Sequence, residues 1–132
     1  MQRQLRRRQM LKATEKATVV VTNPTHYAVA LRYESEMAAP IVVAKGLDFV
    51  AAKIKEVAWK FDIPVMENKP LAQALYKTVE VGDPIPSALY HAVAEILVLV
   101  FKAQSEVRNR DARARRTVAQ NSHTQTANVR PQ

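Results

Sequence analysis

The chain has 132 residues, no cysteine and a formal net charge of +8. This length suits one domain with a single core, and the absence of cysteine excludes a disulfide framework, a thiol nucleophile and a cysteine-based zinc site. The charge lies at the two ends: residues 1–18 hold six Lys/Arg against one acid, residues 102–132 seven against two, and residues 19–101 seven against nine. DNA-binding domains instead place their charge on the element that enters a groove.

The first half of the chain predicts a basic linker followed by three strands. Residues 1–17 have a helix-forming composition without a clear apolar stripe, which indicates a basic linker helix. Runs of β-branched and apolar residues at 18–22 and 27–33 predict two strands on either side of the tetrapeptide Asn-Pro-Thr-His. The continuous apolar run at 41–44 predicts a strand that is buried on both faces.

The second half alternates helical spacing with short apolar runs. Asn68 is predicted to cap the helix at 70–77, because Asn is a preferred N-cap residue and Pro70 suits a first helical turn. Ser87 is predicted to cap the last helix, which we expect to end after Phe101. The predicted elements are a helix at 50–61, a strand at 63–67, a helix at 70–77, an irregular segment at 79–86 and a helix from 87.

This order, β-β-β-α-β-α-α, predicts an α/β fold with a small mixed β-sheet and helices packed around it. The folded domain is expected to cover residues 18–102, after the linker at 1–17. Residues 103–132 are polar, Arg-rich and poor in large apolar residues, which predicts a disordered basic tail. No apolar run approaches the roughly 20 residues that span a bilayer, and the N-terminus lacks the pattern of a signal peptide.

The dipeptide Asn23-Pro24 interrupts the first two predicted strands and carries a possible chemistry. Proline has no N–H, so the usual deamidation through the following backbone nitrogen is closed. The Asn23 side-chain amide can instead attack its own backbone carbonyl, close a succinimide and expel Pro24 as a new N-terminus. Positioning within a tight loop can contribute roughly 7–11 kcal/mol to such a reaction.

Two neighbours have candidate roles in this reaction, and an ordinary explanation stays open beside it. His26 or solvent could move protons, and the Thr25 hydroxyl or amide could stabilise the oxyanion. However, Asn-Pro is also a common turn initiator. The dipeptide alone therefore does not decide between a cleavage site and a turn.

Other classes of function find less support in the sequence. His26, His91 and His123 share no metal-ligand spacing, and two glycines provide no phosphate-binding loop, so no metal or cofactor is expected. Nothing suggests a reusable active site, so we do not expect a turnover enzyme. A basic nucleic-acid-binding domain that uses the Arg-rich ends against phosphate is an alternative, but the basic segments lack interleaved aromatic residues.

Several stretches of the sequence resemble one known family. These are "TNPTHYAVALRY", "APIVVAKG", "IPVMENKPLAQALY" and "IPSALYHAVAEIL". In this order, over residues 17–102, they are similar to the cytoplasmic domain of the FlhB family of flagellar type III export-switch proteins. Injectisome relatives share the Asn-Pro-Thr-His tetrapeptide, but the tyrosine after it and the "APIVVAKG" stretch look flagellar. An injectisome-type switch is the alternative within this resemblance.

The resemblance implies self-cleavage between Asn23 and Pro24, with Asn23, Pro24, Thr25 and His26 as the site. It implies a switch of export specificity from rod and hook proteins to filament proteins, at the cytoplasmic face of the bacterial inner membrane. The implied partners are other export-gate components, the hook-length control protein and rod/hook-type substrates, but no nucleic acid. The two fragments are expected to stay associated, because the strand before the cut keeps its ladder hydrogen bonds.

One feature of the family has no counterpart in this chain. Family members carry a membrane-spanning N-terminal half, so we expect either an excised cytoplasmic domain or a shortened paralogue. The basic start favours the first, since a linker that leaves the membrane would place its Lys/Arg residues near an anionic leaflet.

A shallow apolar patch is predicted as the docking surface for early export substrates. The small residues Ala39 and Pro40 precede a predicted strand, and Ala94 and Leu97 lie about one turn apart on the last helix. We expect these four residues to converge on the surface. The alternative is that all four belong to the core.

Overall fold

The computed structural model describes residues 2–24 and 26–129, with side chains through residue 119. The chain divides into two units between Leu97 and Val98. The elements are α1 (Gln2–Thr14), β1 (Val19–Asn23), β2 (Tyr27–Arg32), β3 (Ile41–Leu47), α2 (Asp48–Lys60), β4 (Val65–Glu67), α3 (Lys69–Thr78), a 3₁₀ turn (Ser87–Leu89) and α4 (Tyr90–Val129).

The four strands form one mixed sheet in the order β3-β2-β1-β4. Strand β2 pairs antiparallel with β1 and with β3, whereas β4 pairs parallel with β1. Strand β1 is therefore an interior strand, and all five of its residues are buried. The predicted α/β class with a small mixed sheet is confirmed.

Helices cover both faces of the sheet. Successive residues of a strand point to opposite faces, and since all residues of β1 are buried, both faces must be covered. On one face, Val20 and Ala44 join Ile54 and Ala58 of α2 in a core cluster, against which Met10 of α1 also packs. On the other face, α3 contacts β1 and β2. The sheet is thus the middle layer, and its interior strand is shielded from both sides.

The helix ends test two of the predicted caps. The Asn68 side chain accepts a hydrogen bond from the Leu71 N–H at 3.2 Å, so the predicted cap of α3 is confirmed. The predicted Ser87 cap is wrong. Ser87 is the first residue of the 3₁₀ turn, so the N-cap position falls on Pro86, which makes no side-chain hydrogen bond.

Strand β3 runs three residues further than the predicted 41–44 and leads directly into α2. Gly46 makes this possible, because a Cβ at that position would overlap the side chain of Val50 in the first turn of α2. Asp48, the first residue of α2, has φ of 44°, in the left-handed region that non-glycine residues rarely adopt. The chain therefore reverses sharply between β3 and α2.

Helix α4 continues past Phe101, its predicted end, through Val129; the disorder expected for residues 103–132 stays a prediction. Its Ala, Gln, Glu and Arg residues are good helix formers, which supplies the local preference. The side chains of residues 101–119 are exposed apart from a half-buried Ala112, as expected for a segment outside the core.

The same helix bears on the question of a membrane span. The segment Ser87–Ala119 is long and apolar enough to cross a bilayer by length and composition alone, which the sequence analysis did not anticipate. Core helices meet this criterion too. Val93, Ile96 and Leu97 are buried, but Val98, Leu99 and Phe101 are exposed. Only 22% of the apolar stretch is buried, so burial accounts for only part of its apolar composition.

Candidate self-cleavage site

The tetrapeptide forms the tight connection of the β1–β2 hairpin. Asn23 ends β1 and pairs with Tyr27, which begins β2. The backbone N–H of His26 donates a hydrogen bond to the Asn23 carbonyl oxygen at 3.0 Å. Asn followed by Pro is a favoured start of such a turn. The carbonyl that self-cleavage would attack is thus already held by a hydrogen-bond donor.

The Asn23 side chain is buried, with 4% of the residue's surface exposed. Its Nδ2 atom is also buried and has no hydrogen-bond partner among the described residues. An unsatisfied buried polar group costs about 1–3 kcal/mol. This nitrogen, the nucleophile of the proposed reaction, is therefore shielded from water and uncommitted to another acceptor.

Aromatic and cationic groups support the hairpin on the α3 face. The Tyr27 ring packs on Tyr76 of α3, with ring centroids 5.1 Å apart. The Nζ atom of Lys45 donates to the carbonyl oxygens of Tyr76 and Val79, each at 2.9 Å, and lies 5.1 Å from the Tyr76 ring centroid. These contacts fix the C-terminal end of α3 against β2, which follows the turn, and against β3.

Helix α2 holds the turn from the other face. The Asp48 N–H donates to the His26 carbonyl oxygen at 2.9 Å, and Lys55 Nζ donates to the Pro24 carbonyl oxygen at 3.2 Å. Both contacts depend on the sharp reversal after β3, which brings the first turns of α2 to the hairpin. The residues on both sides of Thr25 are therefore tied to a helix, while Thr25 itself lies outside the described residues.

The imidazole of His26 is open to solvent. Its side chain is 62% exposed, and Nδ1 lies 3.8 Å from Asp48 Oδ1, which is too long for a hydrogen bond. The ring is therefore in contact with water and makes no hydrogen bond with a described residue.

The role of Thr25 in stabilising the oxyanion stays a prediction, because this residue lies outside the described ranges. The donor that the structure describes on the Asn23 carbonyl oxygen is the His26 backbone N–H, which was not predicted. A preorganised backbone donor of this kind stabilises charge on a carbonyl oxygen without further reorganisation. The signal was present in the sequence, since an Asn-Pro turn of four residues pairs the first carbonyl with the fourth N–H.

The four residues of the predicted docking patch have unequal exposure. Ala39 and Pro40 are half-buried, Ala94 is exposed, and Leu97 is only 6% exposed. The Pro40 carbonyl accepts a hydrogen bond from the Ile85 N–H at 2.9 Å, which ties this loop to the segment before α4. Leu97 thus follows the alternative, a core role, and the patch prediction stays open for the other three.

Two further features lie away from the cleavage turn. An open cleft of about 640 Å³ is lined by residues of α1, by Val43 of β3 and by Glu80, Val81 and Gly82. None of the described tetrapeptide residues, Asn23, Pro24 and His26, lines it. Within the described ranges, no group of three or more His, Cys, Asp or Glu side chains is arranged to hold a metal ion.

The fold and the turn define a small α/β domain whose distinctive feature is an Asn-Pro bond in a clamped hairpin. A family model described as the FlhB HrpN YscU SpaS family matches residues 1–100. The chain therefore belongs to this family.

Relatives and solved structures agree with this assignment. The chain is 46% identical over 107 residues to the flagellar biosynthetic protein FlhB of Bacillus subtilis, covering 80% of this chain and 30% of that protein. It is 50% identical over 103 residues to FlhB of Salmonella typhimurium, covering 77% and 27%. It thus spans less than a third of the length of these curated relatives.

The crystal structure of the cytoplasmic domain of FlhB from Shewanella putrefaciens matches with a TM-score of 0.75 and 42% identity, over 79% of this chain and 81% of that one. A mutated EscU C-terminal domain matches with a TM-score of 0.68 and 33% identity, over 76% and 93%. The fold of this chain is therefore the fold of these domains.

Proposed function

We propose that this chain is a switch domain of a flagellar type III export apparatus and that it cleaves itself once between Asn23 and Pro24. The observation that carries the proposal is the state of Asn23. Its carbonyl accepts the His26 N–H, while its buried Nδ2 lacks a partner among the described residues. The cut is a single intramolecular event, after which the site no longer exists, so the domain is not a turnover enzyme.

The proposed reaction proceeds in two steps. The lone pair of Asn23 Nδ2 attacks the Asn23 carbonyl carbon, and the His26 N–H stabilises the negative charge on the oxygen. The bond to the Pro24 nitrogen then breaks, and this nitrogen takes up the proton that Nδ2 loses, by way of water or the exposed His26 ring. The products are a succinimide at the end of residues 1–23 and a secondary amine on Pro24.

The flagellar role rests on sequence similarity. Among the solved structures, the FlhB cytoplasmic domain is 42% identical to this chain, compared with 36% and 33% for two EscU C-terminal domains. The FlhB relatives from Bacillus subtilis and Salmonella typhimurium are 46% and 50% identical. This difference favours the flagellar over the injectisome-type switch. The proposed effect of the cut is a change in accepted substrates, from rod and hook proteins to filament proteins.

The proposed setting is the cytoplasmic face of the bacterial inner membrane, where the whole protein would meet other export-gate components and the hook-length control protein. The match to a cytoplasmic domain of FlhB supports this placement. Rod and hook substrates are proposed to dock at Ala39, Pro40 and Ala94, which lie in a loop and on a helix that present surface to solvent.

The two fragments are proposed to remain associated after the cut. The N-terminal fragment keeps β1, whose residues Val19, Val20 and Val21 are 0% exposed and which pairs with both β2 and β4. Breaking one bond in an exposed turn removes none of these contacts. The structural change is therefore confined to the turn.

Replacement of the nucleophile tests the cleavage. Asn23→Ala removes Nδ2, so the intact mass of the purified protein should correspond to one uncut chain, whereas the wild type should yield fragments 1–23 and 24–132 in denaturant. Asn68→Ala is the matched control: it should lose about 1 kcal/mol of stability with its cap yet cut normally. A cut at the same bond in Asn23→Ala would contradict the succinimide mechanism.

The switch is tested in cells that carry the whole protein with Asn23→Ala. These cells should export hook-type proteins but few filament proteins, because the uncut turn would keep the early specificity. The measurement is the ratio of hook to filament protein in the culture medium. Normal filaments from a protein shown to be uncut would mean that cleavage does not control export.

A further inference from the structure

We propose that self-cleavage creates a binding site for one Cu²⁺ or Ni²⁺ ion at the new N-terminus, which begins Pro-Thr-His. The inference rests on the proposed cleavage between Asn23 and Pro24. In the intact chain the Pro24 nitrogen is a tertiary amide, which has neither a proton nor a lone pair available for a metal. After the cut it is a secondary amine and a strong donor.

The ligand set follows from the covalent order of the chain. His26 is the third residue of the new fragment, so two backbone amide nitrogens lie between the Pro24 amine and the imidazole Nδ1. When both amides lose their protons to solvent, the four nitrogens close two five-membered rings and one six-membered ring around a single ion. Square-planar nitrogen ligation is typical of Cu²⁺ and Ni²⁺.

The position of proline is decisive for this set. A proline at the second or third place would remove an amide proton and block the site, but the proline here stands first, where its nitrogen is the amine itself. Because the Pro24 nitrogen is a tertiary amide in the uncut chain, this ligand set arises only through the cut.

The structure shows that the two named ligands are accessible. Pro24 and His26 are both exposed, and the imidazole makes no hydrogen bond with a described residue. The His26 N–H is committed to the Asn23 carbonyl in the intact turn. After the cut that carbonyl belongs to the other fragment, so the amide can leave it and bind the ion.

Two charged groups lie beside the proposed site. The Asp48 carboxylate is 3.8 Å from His26 Nδ1 and would stabilise a divalent cation there, whereas the Lys55 ammonium at the Pro24 carbonyl would oppose it. Deprotonated ligands bind the ion, so binding should release protons. Binding of the metal ion therefore depends on cleavage of the β1–β2 connection.

A copper titration tests the site. Purified wild-type protein, with its cut fraction measured by intact mass, is titrated with CuCl₂ alone and followed by visible absorption and electron paramagnetic resonance. We expect one equivalent of Cu²⁺ per cut chain, with the spectrum of four nitrogen ligands. Asn23→Ala keeps Pro24 and His26 but lacks the amine, so it should not give this spectrum.

A double variant, His91→Gln with His123→Gln, is the matched control. It removes the other histidines but keeps the proposed ligands, so it should cut and bind copper as the wild type does. A cut chain without the four-nitrogen spectrum, or an uncut Asn23→Ala chain with it, would overturn the site. An uncut wild-type chain would overturn the proposed cleavage and the site with it, and the mass spectrum identifies this case.

Discussion

The two connections of the three-stranded antiparallel part of the sheet are built in opposite ways. The β1–β2 connection spans residues 24–26, and the strands pair up to its edges. The β2–β3 connection spans residues 33–40, and the neighbouring strands change register between Ala30 and Leu31. The first is tied to α2 at the Pro24 and His26 carbonyls. Most residues of the second are exposed or half-buried.

This difference separates two tasks within one sheet. The short connection fixes a carbonyl, a nucleophile and a leaving nitrogen in one place, as an intramolecular reaction requires. The long connection ends at Ala39 and Pro40, two small half-buried residues at which docking is proposed. Rigid geometry therefore belongs to the proposed cleavage site, and open surface to the proposed docking site.

The largest effect on cleavage is expected when the short β1–β2 connection is lengthened by two glycines. Gly-Gly inserted between His26 and Tyr27 leaves the tetrapeptide unchanged but removes the strand pairing that holds its ends. We expect cleavage to slow by about a hundredfold or more, because small misplacements of reacting groups have effects of that size. The rate is measured from the uncut fraction over time by intact mass.

The control for this experiment is the same insertion between Ser35 and Glu36 in the long connection. It should leave the rate of cleavage unchanged, since long surface loops tolerate insertion. Rapid cleavage of the first insertion variant would show that the tetrapeptide alone is sufficient and that the strand pairing around it has no role in cleavage.

A charge at two positions of the predicted patch should have unequal effects on folding. Leu97→Asp places a carboxylate at a site that is 6% exposed, so we expect a loss of more than about 3 kcal/mol in the free energy of unfolding. Ala39→Asp, in a half-buried loop position, should lose less than about 1 kcal/mol. Urea denaturation measures both.

The same pair of variants sharpens the docking proposal. Ala39→Asp should fold and cut normally yet reduce export of rod and hook proteins, whereas any export defect of Leu97→Asp would follow from unfolding. If Ala39→Asp unfolds the domain as Leu97→Asp does, the loop is part of the core and the patch is wrong.

The smallest effect on cleavage is expected from loss of the contact between Lys55 of α2 and the Pro24 carbonyl oxygen. Lys55→Met removes the ammonium that donates to the Pro24 carbonyl at 3.2 Å. Exposed interactions of this kind contribute at most about 1 kcal/mol, so cleavage should slow by less than about fivefold. Lys53→Met, two residues away and near Glu56 instead, is the control and should cut at the wild-type rate.

Local patterns predicted much of the fold. The β-branched runs around the tetrapeptide gave β1 and β2 within one or two residues, and Asn68 before Pro70 gave the cap of α3, because these signals act within a few residues of the chain. The tetrapeptide itself pointed to the turn. Each of these features depends on chemistry that neighbours in sequence supply.

Features that depend on distant residues were not predicted. The contact of Lys55 with Pro24, and the uncommitted buried nitrogen of Asn23, arise only when α2 and α3 pack on opposite faces of the sheet. The last helix was expected to end after Phe101 because large apolar residues become rare there, but helix propensity does not require burial, and α4 continues through Val129. Leu97 was ambiguous, since several faces of its helix are apolar and only packing decides which is buried.

The interior position of β1 gives the proposed cut a thermodynamic consequence. Before it, α1 and β1 are joined covalently to the sheet, and folding is a unimolecular process that does not depend on protein concentration. Afterwards residues 1–23 form a separate peptide, which inserts a central strand between β2 and β4. The domain becomes a heterodimer whose stability follows mass action. Dilution, or a mechanical force applied to residues 1–23, would then separate β1 from the sheet. In the intact chain the bond between Asn23 and Pro24 prevents this separation.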